Sequence, residues 1–463
     1  AATGKLSGIS APDGGSLAYT YDGPLPLSST WAGAVPGSVV NTFNNDFRLA
    51  SRSVNGGSTV NFGYDNDGLL TQAGSLALSY DANNGLPVGT TLGSLTTTLG
   101  FNTFAELESY AASYGAVSVF ASQYMRDKLG RITRKVETVS GSPQTTEYAY
   151  DIAGRLTQVT VDSVVIATYA YDPNGNRIEG TYDDQDRMLA YGGFTYTYTA
   201  NGELLTKAET ATAQTTTYDY DVLGNLMHVT RPDGTNIDYT IDGQNRRIGK
   251  RVGGSLVQGF LYADQLNPIA ELDGAGNVVS RFVYGSKTNV PDYLIKGGAT
   301  YRIISDHLGS PRLIIDTSTG DIVQQIEYDE FGNITSDTNP GFQPFGFAGG
   351  LYDQDTKLTR FGLRDYDAHA GRWTSKDSIL FDGGDTNLFG YVTNDPVNFV
   401  DPDGRALNYI IVIILIRIGG YQLYVAVNPD TRGPKLQECL ETGNCSDFYE
   451  GEGGLLCTVF GMF

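Results

Sequence analysis

The sequence predicts an all-β fold, and three observations support this prediction. The 463 residues include 58 glycines and 30 tyrosines, and these residues suit tight turns and pleated sheets respectively. Short stretches alternate β-branched or aromatic residues with polar ones, which is the period of a half-buried strand. One phrase beginning with Tyr-Asp recurs along the chain. The only modest helical candidate is the segment from Thr103 to Ala112.

The recurring phrase consists of Tyr-Asp, two or three small or polar residues, Gly, a polar or basic residue, and then Leu or Ile. Clear copies begin at Tyr64, Tyr80, Tyr150, Tyr171, Tyr220 and Tyr328, and weaker copies at Tyr124, Tyr198 and Tyr239. From Tyr124 onward successive copies lie roughly 20 to 27 residues apart, a spacing typical of repeat architectures. The chain is therefore predicted to be a repeat protein.

Each copy predicts a β-hairpin. In residues 150–156, with the sequence YDIAGRL, the Asp151 side chain can accept hydrogen bonds from backbone amides two residues on, and Gly154 can take the positive φ that closes the turn. The flanking runs 145–150 and 156–161 alternate, so Tyr and Leu fall on one face that neighbouring hairpins bury. We interpret the Tyr-Asp pair as structural; exposed tyrosine faces that stack on sugars are the alternative.

The charge and the scattered metal-binding residues exclude several function classes. A net charge of −21 and a pI near 4.4 argue against nucleic acid and acidic membrane headgroups as partners. His228, His307 and His369 lie in separate repeats without metal-ligand spacing. The loops 65–68 and 172–176 are similar to calcium loops but lack the Glu at position twelve of an EF-hand. We therefore expect no cofactor and no metal.

The two ends of the chain carry further expectations. The N-terminus lacks the basic and apolar segments of a signal peptide, and it already reads as repeat sequence, so we expect a piece of a longer protein. The apolar run from Tyr409 to Ile418 contains Arg417 and is shorter than the roughly 20 residues of a membrane span. The cysteines are Cys439, Cys445 and Cys457. With an odd number of cysteines, at least one is a free thiol. A disulfide between Cys439 and Cys445 is one alternative for the other two.

From Phe345 the sequence changes to a run of distinct motifs. They read GFAGGLYD at 346–353, LTRFGLRDYD at 358–367, GRWTSKD at 371–377, NLFGYVTNDP at 387–396 and DPDG at 401–404. These motifs resemble the RHS-repeat-associated core domain, and the Tyr-Asp copies before them resemble the repeats of the RHS/YD-repeat family. The resemblance covers roughly residues 4–404.

The resemblance implies a fold and a domain organisation. Repeats of this family form a β-sheet that spirals into a hollow shell, as in polymorphic toxins of bacteria, the C components of insecticidal toxin complexes and the shell of animal teneurins. We accordingly predict a YD-repeat β-shell, or part of one, over residues 1–344, a core segment over 345–404 and a variable C-terminal tail over 405–463.

The resemblance also implies a chemistry for the core segment. In toxin-bearing relatives the core is similar to an intramolecular aspartic protease, and by position its carboxylates here are Asp377 and Asp401. Two carboxyl groups held close can divide the roles of acid and base, so self-cleavage is expected between Gly404 and Leu407. The first box reads DSIL and lacks its Pro and Gly, and Arg405 stands where the family has an apolar residue. The alternative is that both aspartates are turn residues.

Three function hypotheses follow. The first is the structural shell of a bacterial RHS-type toxin that encloses or delivers its own C-terminal tail as an effector, with a secretion or delivery apparatus as partner. The second is an adhesion or carbohydrate-binding module that recognises cell-surface glycans. The third is an enzyme that cleaves only its own chain after the core. All three place the protein outside the cell, either secreted or at the cell surface.

Overall fold

The computed structural model describes residues 4–11, 14–383 and 385–405, together with the backbone of 408–409, 413–418 and 421–426. The described chain is almost entirely antiparallel β-structure, which confirms the all-β prediction. Its helical segments are three short 3-10 turns, Phe347–Gly349, Leu380–Gly383 and Val392–Asn394. In the described part of the chain, no helix has the length and apolarity needed to cross a membrane. The three cysteines lie outside the described residues.

Residues 8–168 form the first sheet, in which each strand pairs with the strands before and after it in sequence. Its 16 strands are β1 (Gly8–Ser10), β2 (Ser16–Asp22), β3 (Leu25–Ala32), β4 (Gly37–Phe43), β5 (Leu49–Val54), β6 (Gly57–Tyr64), β7 (Leu70–Ala73), β8 (Leu76–Tyr80), β9 (Pro87–Leu92), β10 (Leu95–Phe101), β11 (Leu107–Tyr114), β12 (Val117–Arg126), β13 (Ile132–Val139), β14 (Ser142–Tyr150), β15 (Leu156–Val161) and β16 (Val164–Thr168).

Residues 181–337 form the second sheet with the same sequential order. Its 16 strands are β17 (Thr181–Tyr182), β18 (Met188–Tyr191), β19 (Phe194–Tyr198), β20 (Leu204–Glu209), β21 (Thr215–Tyr220), β22 (Leu226–Thr230), β23 (Asn236–Ile241), β24 (Arg247–Val252), β25 (Ser255–Tyr262), β26 (Pro268–Leu272), β27 (Val278–Val283), β28 (Tyr293–Lys296), β29 (Ala299–Ser305), β30 (Pro311–Asp316), β31 (Ile322–Tyr328) and β32 (Ile334–Asp337).

The core segment and the described residues after it add smaller sheets. Four short strands pair in order, and two further pairs follow. They are β33 (Leu351–Tyr352), β34 (Leu358–Phe361), β35 (Arg364–Asp367) and β36 (Arg372–Trp373), then β37 (Phe399–Val400) with β38 (Asn408–Tyr409), and β39 (Ile413–Ile418) with β40 (Tyr421–Ala426).

The helix candidate between Thr103 and Ala112 is wrong. The side chain of Asn102 accepts hydrogen bonds from the amides of Phe104 and Glu106, at 2.9 and 3.1 Å, and so begins a turn rather than a helix. Strand β11 then pairs with β10 on one side and β12 on the other. Two complete ladders override a weak local helical pattern.

Strand pairing is interrupted between the two sheets. Over residues 169–180 the ladder is reduced to one isolated bridge between Tyr171 and Arg177. The Arg177 side chain instead lies over the ring of Phe331, 4.0 Å from its centroid, and Tyr169 packs edge-on against the same ring at 5.1 Å. The strands therefore form two sheets that are paired separately, one on each side of residues 169–180.

The predicted turn chemistry is confirmed at the repeat loops. In residues 151–155 the Asp151 Oδ1 atom accepts hydrogen bonds from the amides of Ala153 and Arg155, at 2.9 and 3.0 Å. Gly154 has a φ of 88°, a region that favours glycine. The aspartate thus satisfies two turn amides, and strands β14 and β15 pair on either side.

The fifth position of a repeat loop links one repeat to the next when it is arginine. Arg155 donates from Nε to Asp151 Oδ2 at 2.7 Å and lies 5.0 Å from the centroid of the Tyr171 ring. The Tyr171 hydroxyl donates back to the carbonyl of Leu156 at 2.8 Å. We call the loops with this arrangement the arginine loops; they are 127–131, 151–155, 183–187 and 242–246.

In three loops the residue at the fifth position is an asparagine whose side chain binds the core segment. Asn225 accepts a hydrogen bond from Arg360 Nη2 at 2.9 Å, and Asn176 accepts one from Arg372 Nη1 at 2.7 Å. Asn333 donates to the carbonyl of Ala368 at 3.0 Å. We call these three the asparagine loops; they are 172–176, 221–225 and 329–333.

The hydrophobic core lies between the two sheets and around the core segment. One buried cluster combines Trp31 of β3 with Phe260 of β25, and another combines Phe120 of β12 with Leu313 of β30. Fully burying each such side chain contributes about 1.5–3 kcal/mol. The core segment fills a third cluster, built around Tyr366 together with neighbouring aromatic rings. This packing fixes the position of the core segment against both sheets.

Candidate functional site

The structure places the two sequence-predicted aspartates together, in the last part of the core segment. Asp377 follows β36, and its amide donates to the carbonyl of Leu388 at 2.9 Å. Asp401 directly follows β37. The two residues are only 7% and 3% exposed, so their carboxyl groups are largely removed from water.

Arg364, at the start of β35, joins the two carboxylates. Its Nη2 atom lies 2.7 Å from Asp377 Oδ2 and 3.1 Å from Asp401 Oδ2. The guanidinium also lies 4.2 Å from the centroid of the Trp373 ring, which fixes its plane. In this arrangement the carboxylates are bridged by a cation.

Burial sets the protonation of the pair. It raises the pKa of Asp377, against the opposing effect of Arg364. Burial also raises the pKa of Asp401, to about 8, and the neighbouring Asp403 adds to this while Arg364 again opposes it. Desolvation disfavours the charged carboxylate in both cases. Asp401 is therefore the member that more readily holds a proton near neutral pH.

The peptide bond between Gly404 and Arg405 lies directly against this cluster. Arg364 Nε donates to the Gly404 carbonyl oxygen at 2.6 Å. The Arg405 amide donates to Asp401 Oδ1 at 3.0 Å and to Asp403 Oδ1 at 3.2 Å. A cation thus contacts the carbonyl oxygen of the bond, and a carboxyl group contacts its nitrogen.

Close backbone packing holds the second aspartate box in place. Gly404 has a φ of 66°, and a Cβ added there would lie 2.6 Å from the carbonyl oxygen of Phe361. A Cβ on Gly362 would lie 2.4 Å from the carbonyl oxygen of Asp403. Only glycine allows two backbones to approach this closely. The end of the core segment is therefore fixed against the β34–β35 turn.

Both aspartates also make turn contacts, as the structural alternative requires. Asp377 Oδ1 accepts from the Ile379 amide at 2.9 Å. The Asp401 carbonyl accepts from the Gly404 amide at 3.4 Å. The geometry therefore contains a structural role for each residue alongside the arrangement around the Gly404–Arg405 bond.

Sequence reasoning missed Arg364. It lies inside the LRDYD motif, but 37 positions before Asp401, and nothing in that spacing links the two. A signal was present, because an arginine within a buried, aromatic-rich strand needs an anionic partner.

The other sequence candidates remain apart from this cluster. His228 bonds to Asp238 at 2.6 Å, His307 lies against the Tyr124 ring, and His369 packs edge-on against Phe194. Among the residues that the structure describes, no three His, Cys, Asp or Glu side chains are grouped so as to hold a metal ion. The calcium-like loops are turns: Asp65 Oδ1, for example, accepts from two backbone amides.

Comparison with known proteins identifies relatives of both animal and bacterial origin. The model of the teneurin YD-shell family matches residues 3–397. Teneurin-4 of Mus musculus is 31% identical over 296 residues, which are 59% of this chain and 10% of that protein. The tRNA3(Ser)-specific nuclease WapA of Bacillus spizizenii is 28% identical over 290 residues, 61% of this chain and 11% of that protein. The chain spans about a tenth of the length of these relatives.

Solved structures share the fold. A crystal structure of TcdB2-TccC3-Cdc42 superposes with a TM-score of 0.61 at 16% identity, covering 85% of this chain and 22% of that chain. A crystal structure of TcdB2-TccC3 superposes with a TM-score of 0.59 at 16% identity, covering 82% and 24%. At this identity the likeness establishes the common β-sheet architecture.

Proposed function

Because this chain belongs to the teneurin YD-shell family, we propose that it forms part of the shell of a bacterial RHS-type toxin, which encloses or delivers residues 405–463. The observation that carries the proposal is the anchoring of the chain just before those residues. Arg364 and the backbone of the β34–β35 turn hold Asp401 to Gly404 inside the core. A container needs such a fixed point where its wall passes into its cargo.

The relatives support the proposal by their names. WapA is described as a tRNA3(Ser)-specific nuclease, so a chain with similar repeats carries an effector activity. The repeats of the present chain, with their buried Arg–Tyr and Asp contacts, supply wall material. We place this shell outside the producing cell, either secreted or at the cell surface, with a delivery apparatus as its partner.

Limited proteolysis of the full chain tests whether the tail is enclosed. Trypsin cuts after Lys and Arg, and the tail offers Arg405, Arg417, Arg432 and Lys435. We expect these bonds to be cut no faster than bonds in the folded sheets, and to be cut at once after denaturation. Removal of the tail while the rest of the chain stays intact would contradict enclosure. Growth arrest on expression of residues 405–463 would support an effector role.

We further propose that the core cuts the chain at the Gly404–Arg405 bond, within the junction that ends at Leu407. Asp377 takes a proton from water, and the hydroxide oxygen adds to the Gly404 carbonyl, whose developing negative charge Arg364 stabilises. Asp401 then gives its proton to the Arg405 nitrogen as the C–N bond breaks. One water is consumed, and the products are a carboxylate on Gly404 and an amine on Arg405.

The intact mass of the purified chain tests this cut. Two fragments whose masses sum to the full chain plus one water support it, and Asp401→Asn and Asp377→Asn should each leave the chain whole. The matched control is Asp382→Asn, which removes an exposed carboxylate of the Leu380–Gly383 turn and should leave the cut unchanged. If wild-type protein retains its full 49.8 kDa after prolonged incubation, the proposed cleavage is wrong.

Adhesion is the second candidate function, and exposed loop tips favour it. Phe104, Leu129 and Ile152 occupy the tips of three alternate loops of the first sheet, after β10, β12 and β14, and are 78%, 75% and 109% exposed. The repeat tyrosines suit sugar stacking less well, because arginines cover rings such as those of Tyr150 and Tyr171. A glycan array compared between wild type and a variant with serine at the three tips tests this function. Equal signals would exclude these tips.

A further inference from the structure

A small cavity lies between the second sheet and the core segment, with Pro402 in its lining. Arg246, Arg247 and Arg360 line it, and loop residues around Gln265 form part of its wall. Its volume is about 30 Å³, which is room for roughly two water molecules. We call it the arginine cavity. No step of the proposed shell or cleavage functions uses it.

Two of the three arginines at the arginine cavity share one carboxylate. Arg246 forms a buried pair with Asp242, at 2.6 Å. Arg247 and Arg360 share the carboxylate of Asp365, at 3.0 and 2.9 Å. Burial lowers the pKa of Arg247, but Asp365, Tyr239 and Asp353 outweigh it and raise that pKa.

Two donors in the cavity lining are also unsatisfied. Arg247 and Arg360 are 6% and 3% exposed, and within the described residues the Nε–H group of neither has a hydrogen-bond partner. Burial lowers the pKa of Arg360, and the nearby Arg247 adds to this against the effect of Asp365. Buried guanidinium donors are almost always paired, because an unpaired one forfeits its hydration without compensation.

We propose that the arginine cavity binds the carboxylate group of a small molecule. Arg247 and Arg360 have one carboxylate between them, and their two free Nε–H donors match the two oxygens of a second carboxylate. The small volume favours a planar carboxylate over a tetrahedral phosphate. A binding site here adds a ligand to a chain otherwise interpreted as wall material.

Acetate is the probe for this site. The thermal unfolding midpoint of the full chain is measured against sodium acetate, with ionic strength held constant by the sodium salt of MES, whose ring is too large for the cavity. A ligand that binds the folded state raises this midpoint in a saturable manner. We expect such a rise with acetate, and a weaker one with inorganic phosphate.

Two variants separate specific binding from a general salt effect. Gln265→Glu places a negative charge at the cavity and should weaken the apparent acetate affinity about fivefold. Gln214→Glu makes the same change on an exposed loop elsewhere in the second sheet and should leave the affinity unchanged. Arg360→Lys, which loses the Nε donor, should weaken it at least about tenfold.

The outcomes decide the assignment. A saturable rise with acetate that Gln265→Glu weakens and Gln214→Glu does not supports the site, even if Arg360→Lys fails to fold. The absence of a saturable rise, or equal behaviour of the two glutamate variants, overturns it. A stronger effect of phosphate than of acetate overturns the carboxylate as the ligand.

Discussion

The arginine loops and the asparagine loops share a turn but differ in what they hold. In both, the first-position aspartate accepts from two backbone amides, as Asp151 and Asp221 do. In an arginine loop the fifth residue stacks on the tyrosine of the next repeat, as Arg155 does on Tyr171. In an asparagine loop the fifth side chain is short and leaves room for the core segment to approach.

The difference separates two tasks of the wall. Arginine at the fifth position connects neighbouring repeats through contacts that are partly exposed in three loops and buried in the fourth, 242–246. Asparagine binds a distant part of the chain. Asn176 and Asn225 are each 2% exposed and both bind arginines of the core segment. The arginine loops and the asparagine loops therefore form the same turn, but the residue at the fifth position decides whether the loop contacts the next repeat or the core segment.

The largest expected effect comes from breaking an asparagine contact. Asn176→Ala leaves the buried donors of Arg372 and Asn387, now at 2.7 and 2.8 Å from Asn176 Oδ1, without their acceptor. We expect the free energy of unfolding to fall by about 3 kcal/mol. Urea unfolding measures it. The matched control is Asn277→Ala, whose exposed side chain bonds only to Asp273 of its own loop and should cost less than about 0.5 kcal/mol. Equal losses of stability in Asn176→Ala and Asn277→Ala would contradict the special role of the asparagine loops.

A second difference is in the response to pH. Burial alone would raise the pKa of Asp151, but hydrogen bonds from Arg155 lower it. Burial raises the pKa of Asp395 in the core segment to about 7, although Asn398 bonds to it. A lowered pKa contributes stability above about pH 4 that is lost in acid. A raised pKa has the opposite effect. Between pH 7 and about 4 the folded state holds a proton that the unfolded state has lost, so stability rises as pH falls through this range.

Asp395 should therefore contribute an increase in stability as pH falls from 8 to 5, which His307, whose pKa burial lowers to about 4, opposes below about pH 6.5. We expect the contribution of this residue to be on the order of 2 kcal/mol. The measurement is urea unfolding at pH 8 and pH 5 for wild type and Asp395→Asn. The variant cannot titrate, so it should lose this part of the increase. An unchanged difference between the two pH values would show that Asp395 is ionised in the folded state.

The sequence was sufficient to predict the hairpins but not the specialisation of their loops. The roles of Asp151 and Gly154 follow from local turn chemistry, which acts within five residues. The partners of the fifth position do not: Arg372 lies 196 positions from Asn176, and only the folded chain brings them together. The helix expected near Thr103 failed for the opposite reason, since ladders on both sides outweighed a local pattern.

The candidate site was predicted only in part. Asp377 and Asp401 came from resemblance, and their pairing through Arg364 depends on three segments of the core that meet in space. The boundaries at residues 344 and 404 and the role of the tail stay predictions, as does catalysis by the pair.

A smaller effect is expected from removing the aspartate of an arginine loop. Asp151→Ala deletes the acceptor for two turn amides and for Arg155, all near the surface, so water can replace much of what is lost. We expect the free energy of unfolding to fall by about 1–2 kcal/mol, measured by urea unfolding. Asp219→Ala, a strand position with no resolved turn role and largely exposed, is the control. A loss above that of Asn176→Ala would reverse the order of the two loop types.

The smallest expected effect is the most direct test, because it converts one loop type into the other. Arg155→Asn can keep the bond to Asp151, as Asn225 bonds to Asp221 at 2.9 Å, but it loses the stack on Tyr171 and the bond to the Asp172 carbonyl. We expect a loss of about 0.5–1 kcal/mol. Urea unfolding of Arg155→Asn, Tyr171→Leu and the double variant then gives their coupling, expected near 0.5 kcal/mol. A coupling of zero would mean that arginine serves only its own turn, and the two loop types would differ in their contact with the core alone.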